Sequence, residues 1–179
     1  MTKGKTVHIR QLNVHDAAES LRLQTENRDF FEKFSMTRAV DFYKIEGQIN
    51  MIQNHHEHVQ KDQGYAFGIF KNDDDALIGT ISLFQVIRGS LQSAFIGYFL
   101  DKKHNGKGYA TEAVQLICEY AFGELKLHRI EAGVMPHNIA SMRVLEKAGF
   151  HKEGIAQKNV KIHGKWEDHQ VLALINPDD

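Results

Sequence analysis

Residues 93–122 pass from Ser93-Ala94-Phe95-Ile96-Gly97-Tyr98-Phe99-Leu100, a run without a charge, through Asn105-Gly106-Lys107-Gly108 into the most regular apolar stripe of the chain. An uncharged run of strand length has both faces covered, so it belongs in the middle of a sheet. Gly97 within it marks a bulge or a close approach of another chain segment. Beyond the turn, Ala110, Ala113, Val114, Ile117, Cys118, Ala121 and Phe122 recur at spacings of three and four, the pattern of a helix buried on one face, which Gly123 ends. A central strand feeding a helix through a glycine turn restricts the fold to helices layered on a sheet.

The flanking patterns fill in that architecture. Residues 6–12 alternate as a strand, and from Asp16 onward Ala17, Leu21 and Leu23 fall on one helical face. Residues 41–62 read as one amphipathic helix, followed by strands over 65–70, 76–87 and 91–100 that form an antiparallel meander. A strand over 129–135, a helix over 138–148 closed by Gly149, and two strands turning at His163-Gly164 complete the chain. About seven strands and four helices give an α+β, mixed three-layer domain. Only two prolines occur and no linker or repeat is visible, so residues 1–179 read as a single domain.

Composition narrows the function classes. With 22 basic and 23 acidic residues the chain lacks the strongly positive balance of a dedicated nucleic-acid binder. Cys118 is the only cysteine, which excludes an intrachain disulfide and fits a reducing compartment. No apolar leader opens the chain and no run of 18 apolar residues occurs, so the reading is cytoplasmic, without a membrane span. Oligomeric state leaves no trace in the sequence.

The glycine turn carries the sharpest chemical signal. It aims backbone N–H groups and the positive end of a helix dipole at one point, where a phosphate can sit, with Lys103 and Lys107 alongside. The P-loop pattern fails because Gly108 follows Lys107, and the dinucleotide fingerprint fails at Thr111. Phosphate binding and an ordinary glycine turn weigh evenly on local sequence alone.

Asn105 to Ala110 resembles the acetyl-CoA signature of the GNAT acetyltransferases, Gln/Arg-x-x-Gly-x-Gly/Ala, with Gly108 and Ala110 matching and Asn105 departing from the usual first residue. Ile96-Gly97-Tyr98 resembles the family's splayed central strand. His128-Arg129-Ile130-Glu131-Ala132, running through Asn138, Ser141, Val144-Leu145 and Gly149-Phe150 to Glu153-Gly154, resembles the Rim-type branch that acetylates ribosomal-protein N-termini. The resemblance covers residues 94–154 and implies a GNAT fold. It places acetyl-CoA between two parting strands, its pyrophosphate on the amides of Asn105, Gly106, Lys107, Gly108, Tyr109, Ala110 and Thr111. It also implies that the backbone at Tyr98, Phe99 and Leu100 polarises the thioester and that Asn138 touches the pantetheine arm. No metal is implied.

Catalytic groups are sparser. Asn138 sits where a helix N-cap belongs, with Ser141 three residues on. Many GNATs protonate the departing thiolate with a tyrosine where this chain has Leu145, which leaves Ser141 as the implied donor, weighed evenly against a purely helical role. The strand 94–99 carries no acid, so Glu131 stands as the candidate base against a salt-bridged reading. Trp166, expected to be buried, and Asp168 are candidates for the acceptor pocket. His55, His56 and His58 do not converge as metal ligands would, and Cys118 belongs to the core stripe. The resemblance thus implies acetyl transfer to a primary amine, a protein or peptide N-terminal α-amine being favoured. The alternatives are a small amine (an amino acid, polyamine or aminoglycoside) and a non-catalytic acetyl-CoA binding module.

Overall fold

A computed structural model describes residues 1–179 and contains eight strands and five α-helices. In chain order these are β1 (Thr2–Lys3), β2 (Val7–Arg10), α1 (Ala17–Glu26), α2 (Arg28–Glu32), α3 (Ile45–Gln60), β3 (Gly64–Lys71), β4 (Leu77–Ile87), β5 (Ser93–Leu100), α4 (Tyr109–Gly123), β6 (Arg129–Val134), α5 (Ile139–Lys147), β7 (His151–Ile162) and β8 (Lys165–Ile175). One sheet runs β1-β2-β3-β4-β5-β6-β8-β7. Every neighbouring pair is antiparallel except β5 and β6. The α+β reading and the meander of β3, β4 and β5 hold.

The departures have local causes. The extra strand, β1, is two residues long and the extra helix, α2, five, too short for either periodicity to register. The helix expected over 41–62 is split: a 3-10 turn at Val40–Tyr43 ends at Lys44, which is extended, and the α-helix starts at Ile45. Gly123 is the last residue of α4 but not a left-handed cap; positive φ is taken by Lys126 at 55°. The bulge anticipated at Gly97 lies across the ladder in β4, between Phe84 and Ile87. Gly97 marks a close approach, since a Cβ there would stand 3.3 Å from the Phe84 ring.

Alternation along β5 divides its side chains between two cores. Ala94, Ile96 and Leu100 join Val114, Ile117 and Cys118 of α4 and Leu145 of α5 in the larger one. Phe99 points the other way, against Leu23, Phe31 and Ile52 of α1, α2 and α3 in the smaller one. Wholly buried Leu127, Ile130, Leu145 and Leu172 each contribute about 1.5–3 kcal/mol of apolar burial, which clamps the α5 side of the sheet around β6. No helix is long and apolar enough to cross a membrane.

Candidate active site

The sheet opens in its middle. β5 and β6 pair only at Ser93–Arg129, Ala94–Ile130 and Phe95–Glu131, and then part. Each strand keeps its outer partner past that point, β5 with β4 as far as Leu100 and β6 with β8 as far as Val134. The result is a wedge with unpaired backbone along its inner edges, held open from outside. Gly97 and Gly133 stand two residues past the last pair and project no side chain into it.

On the α5 face, Tyr98, Asn138 and Ser141 come together. The Tyr98 hydroxyl lies 2.8 Å from Ser141 Oγ and donates to the Ser141 carbonyl at 3.1 Å. Burial pushes the Tyr98 phenol up to about 12, so it remains a donor at neutral pH. Asn138 caps α5, its Oδ1 accepting from the Ser141 N–H at 3.3 Å. Sequence reasoning assigned Tyr98 a backbone role; its side chain also fixes the serine. Leu145, where the resemblance implies a tyrosine in many GNATs, is wholly buried.

The glycine loop lies at the mouth of the wedge. Gly106 and Gly108 take left-handed φ of 77° and 84°, conformations that disfavour any Cβ. A Cβ built on either would meet no protein atom within 4 Å, so the space over the loop is open to a ligand. Gly108 caps α4 without a side-chain partner, leaving the N–H groups of Tyr109, Ala110 and Thr111 with no intrahelical acceptor. Glu112, the acid of this first turn, is turned away: its carboxylate accepts from the Lys5 and Thr6 N–H groups, the latter at 3.1 Å. The loop therefore keeps its positive character. Its approach is anchored by Asn27, whose Oδ1 accepts from the Lys102 N–H at 3.0 Å, and by Asp101, which accepts from Lys103 N–H at 3.1 Å. A cavity of about 710 Å³ adjoins this anchor, between Thr25–Phe30 and Asp101–Lys103. Amides, dipole and open space suit a pyrophosphate.

The opposite face differs. Glu131 sits on the last paired position, before the wedge, and accepts from Arg129 Nε at 2.7 Å. Arg129 also donates to Glu153 at 3.0 Å, and this guanidinium holds the Glu153 carboxyl down to about 2. The candidate base is thus engaged in an ion pair and is not brought to Ser141, which lies across the sheet. Trp166 is 56% exposed, contrary to the expectation of burial, because it lies near the tip of the β7–β8 hairpin, which extends past the core. Asp168 accepts from the Lys158 N–H at 2.8 Å, where β7 bulges with Lys158 at positive φ. The segment after α2 straps over this face: Thr37 bonds His163 at 3.2 Å, His163 also reaches the Glu32 carbonyl, and Phe34 packs on His137 with ring centres 5.4 Å apart. None of these contacts has a signal in the sequence, because each joins segments about a hundred residues apart.

The remaining singled-out residues are structural. His56 Nε2 pairs with the Leu12 carbonyl at 2.7 Å, burial and the neighbouring histidines depress His55 to about 4, and no three potential ligands cluster for a metal. Cys118 is buried and pushed up to about 12, which removes thiolate character.

Comparison with known proteins agrees with this geometry. Residues 6–151 match the acetyltransferase (GNAT) domain family. The chain is 70% identical over 179 residues to the probable N-acetyltransferase YjcK of Bacillus subtilis (strain 168), covering 100% of this chain and 99% of that one. It is 32% identical over 173 residues to the [ribosomal protein uS5]-alanine N-acetyltransferase of Escherichia coli (strain K12), covering 95% and 88% respectively. Among solved structures, Mycobacterium smegmatis RimJ in complex with CoA-disulfide superposes with a TM-score of 0.90 at 27% identity, over 96% of this chain and 83% of that one. A strand wedge, a left-handed glycine loop opening a helix and these likenesses converge: the chain belongs to the GNAT family, on its Rim-type branch, and is an acetyl-CoA-dependent N-acetyltransferase.

Proposed function

We propose that residues 1–179 form one acetyltransferase domain that acetylates the N-terminal α-amine of a protein or peptide, attacking the thioester directly while both substrates are bound. The observation that carries the acceptor assignment is the wedge's lack of a free carboxylate: β5 bears none and Glu131 is held by Arg129. An enzyme so built favours an amine already partly neutral. An α-amine, with a pKa of about 7.7–8.0, exceeds a lysine, at about 10.4, in neutral fraction near pH 7.5 by roughly two to three powers of ten. The relative that acts on ribosomal protein uS5 supports the same reading and a cytoplasmic setting.

In this reading the amides of residues 105–111 hold the pyrophosphate, and the Asn138 side chain flanks the pantetheine arm. Backbone N–H groups of Tyr98 to Leu100 along the wedge steady the oxyanion as charge develops on it. The amine nitrogen bonds to the acetyl carbon, the carbon–sulfur bond breaks, and Ser141 Oγ, oriented by Tyr98, gives its proton to the departing thiolate, while the proton the nitrogen sheds restores Ser141 through solvent. Thiol release from acetyl-CoA, measured with a free-N-terminus peptide whose lysine is blocked, with spermidine and with an aminoglycoside, tests the assignment. The peptide should react fastest. Faster reaction of spermidine or the aminoglycoside moves the assignment to a small amine, and CoA binding without turnover on any acceptor moves it to a non-catalytic module.

A further inference from the structure

We infer that His169 is the proton acceptor of the transfer, taking the acceptor amine's proton at Nε2. The inference rests on the acetyl-transfer reading and supplies the base that it lacks.

β8 is regular through this region, so Glu167, His169, Val171 and Ala173 share one face of the sheet. β8 pairs with β6, Val171 opposite Gly133 and Ala173 opposite Glu131, which places His169 beside the unpaired end of β6. A Cβ on Gly133 would stand 3.7 Å from His169 Cβ and 3.8 Å from Cδ2, so the imidazole lies over a glycine whose missing side chain leaves it facing the wedge. Gly97 and Gly133, each two residues past the Phe95–Glu131 pair, flank the same opening. The face opposite α5 is also the one away from Ser141, so the proton acceptor and the proton donor stand on opposite sides of the reacting carbon.

Hydrogen bonding fixes which nitrogen is free. His169 Nδ1 lies 2.9 Å from Asn159 Oδ1 and 3.2 Å from the Glu167 carbonyl oxygen. A carbonyl only accepts, so Nδ1 carries the hydrogen and Nε2 the lone pair. Nε2 has no protein partner, yet His104 Nδ1 is the sole fully buried side-chain nitrogen or oxygen without one; His169 Nε2 is therefore not wholly sealed although the residue is only 5% exposed. An imidazole oriented through Nδ1 with Nε2 bare is the arrangement of a general base.

The charged groups sharing this face include the Arg129–Glu131–Glu153–His151 cluster of β6 and β7, the Lys165–Glu167 pair of β8, and Arg38, which lies over the Phe99 ring and donates to Gln24. Lys158 borders it at the bulge of β7, and His137 and His163 face it from the loop before α5 and the hairpin tip, both held by the strap after α2. Among these groups His169 alone combines an unpartnered nitrogen with a position on the wedge. The step balances: the ammonium proton passes to Nε2, the freed lone pair forms the carbon–nitrogen bond as the carbon–sulfur bond breaks, Ser141 protonates the thiolate and is restored through solvent by the second proton that the acetylated nitrogen sheds, and the imidazolium returns its proton to solvent.

The test compares His169→Gln and His169→Ala with wild type at pH 7 and pH 9, on the blocked-lysine peptide and on spermidine in parallel. At pH 7 kcat/KM on whichever acceptor the wild type uses should fall by about 100-fold with CoA affinity unchanged. On the peptide the loss should shrink at pH 9, where an α-amine arrives neutral, and added imidazole should restore part of the activity of His169→Ala. An equal loss at both pH values without imidazole rescue assigns His169 to packing and overturns the inference. Should both variants fail to fold, 15N NMR of the wild-type imidazole decides: Nδ1–H with bare Nε2 is expected, and the Nε2–H tautomer contradicts it. Wild-type preference for spermidine would defeat the α-amine assignment, while the His169 loss, read on spermidine, would still judge the base.

Discussion

On the α5 side of the wedge, Tyr98 bonds Ser141 across 43 residues of chain that form one continuous strand-loop-helix-strand-helix unit, whereas on the other side Thr37 meets His163 across 126 residues. The first side is built largely from backbone: left-handed glycines, a helix start and unpaired strand edges. The second is assembled from side chains on a strap and a hairpin that the sheet merely brings together. In the proposed reading, cofactor recognition rests on geometry that few substitutions spare, while acceptor recognition rests on contacts that can be exchanged one at a time without disturbing the cofactor.

The contrast breaks most readily at the loop. In Gly108→Val a branched side chain must adopt a φ of 84° and project where the proposed reading seats the pyrophosphate. Losing one or more charge-assisted amide contacts, each worth about 1.5–3 kcal/mol, should weaken CoA binding about 100-fold by calorimetry in a variant that remains folded by circular dichroism. Unchanged affinity would move the pyrophosphate away from the loop.

Ser141→Ala should lower kcat by about 10- to 100-fold while leaving CoA affinity near wild type, because thiolate protonation matters as the bond breaks and little in the ground state. Tyr98→Phe should share the direction with a smaller loss. Wild-type kcat in Ser141→Ala, with chemistry shown to be rate-limiting, would leave Ser141 only its place in the cap of α5.

The acceptor side gives smaller, separable effects. His163→Ala removes the strap's bonds to Thr37 and the Glu32 carbonyl; each is worth about 0.5–1.5 kcal/mol, so the peptide KM should rise about 2- to 10-fold with CoA affinity unchanged. A matching loss of CoA affinity would mean that the two sides are not independent.

The smallest effect concerns stability. The Arg129 guanidinium, helped by His151, holds the folded-state Glu153 carboxyl down to about 2, below its ordinary value of 4.5. Its contribution is therefore full above about pH 4.5 and is lost as the pH falls toward 2. Glu153→Gln should lower the melting temperature slightly at pH 7 and leave it less sensitive to acid; equal acid sensitivity in both proteins would show that the pair does not couple to folding.

The two sides also differ in how far they can be read from the chain alone. The apolar stripe from Ala110 to Phe122, the uncharged run 93–100 and the glycine turn are local patterns, so the central strand, α4 and the loop are legible, and Asn138 is legible as a cap. The partnership of Tyr98 with Ser141 is not, because it depends on α5 crossing over the parted end of β5. Glu131 misleads as a base, since its engagement by Arg129 depends on a side-chain direction that strand alternation alone leaves undetermined. His169 is invisible beside the more conspicuous Trp166 and Asp168: only the pairing of β8 with β6 brings it to the wedge.

The account's central claim is that the wedge accepts an amine that arrives partly neutral. Mass spectrometry of products from two peptides of one sequence tests it most directly, one with a free N-terminus and blocked lysine, the other acetyl-capped with its lysine free, each incubated with acetyl-CoA near pH 7.5. The account predicts acetylation of the first on its α-amine and essentially none of the second. Acetyl transfer to the lysine of the capped peptide at an equal or greater rate would contradict it.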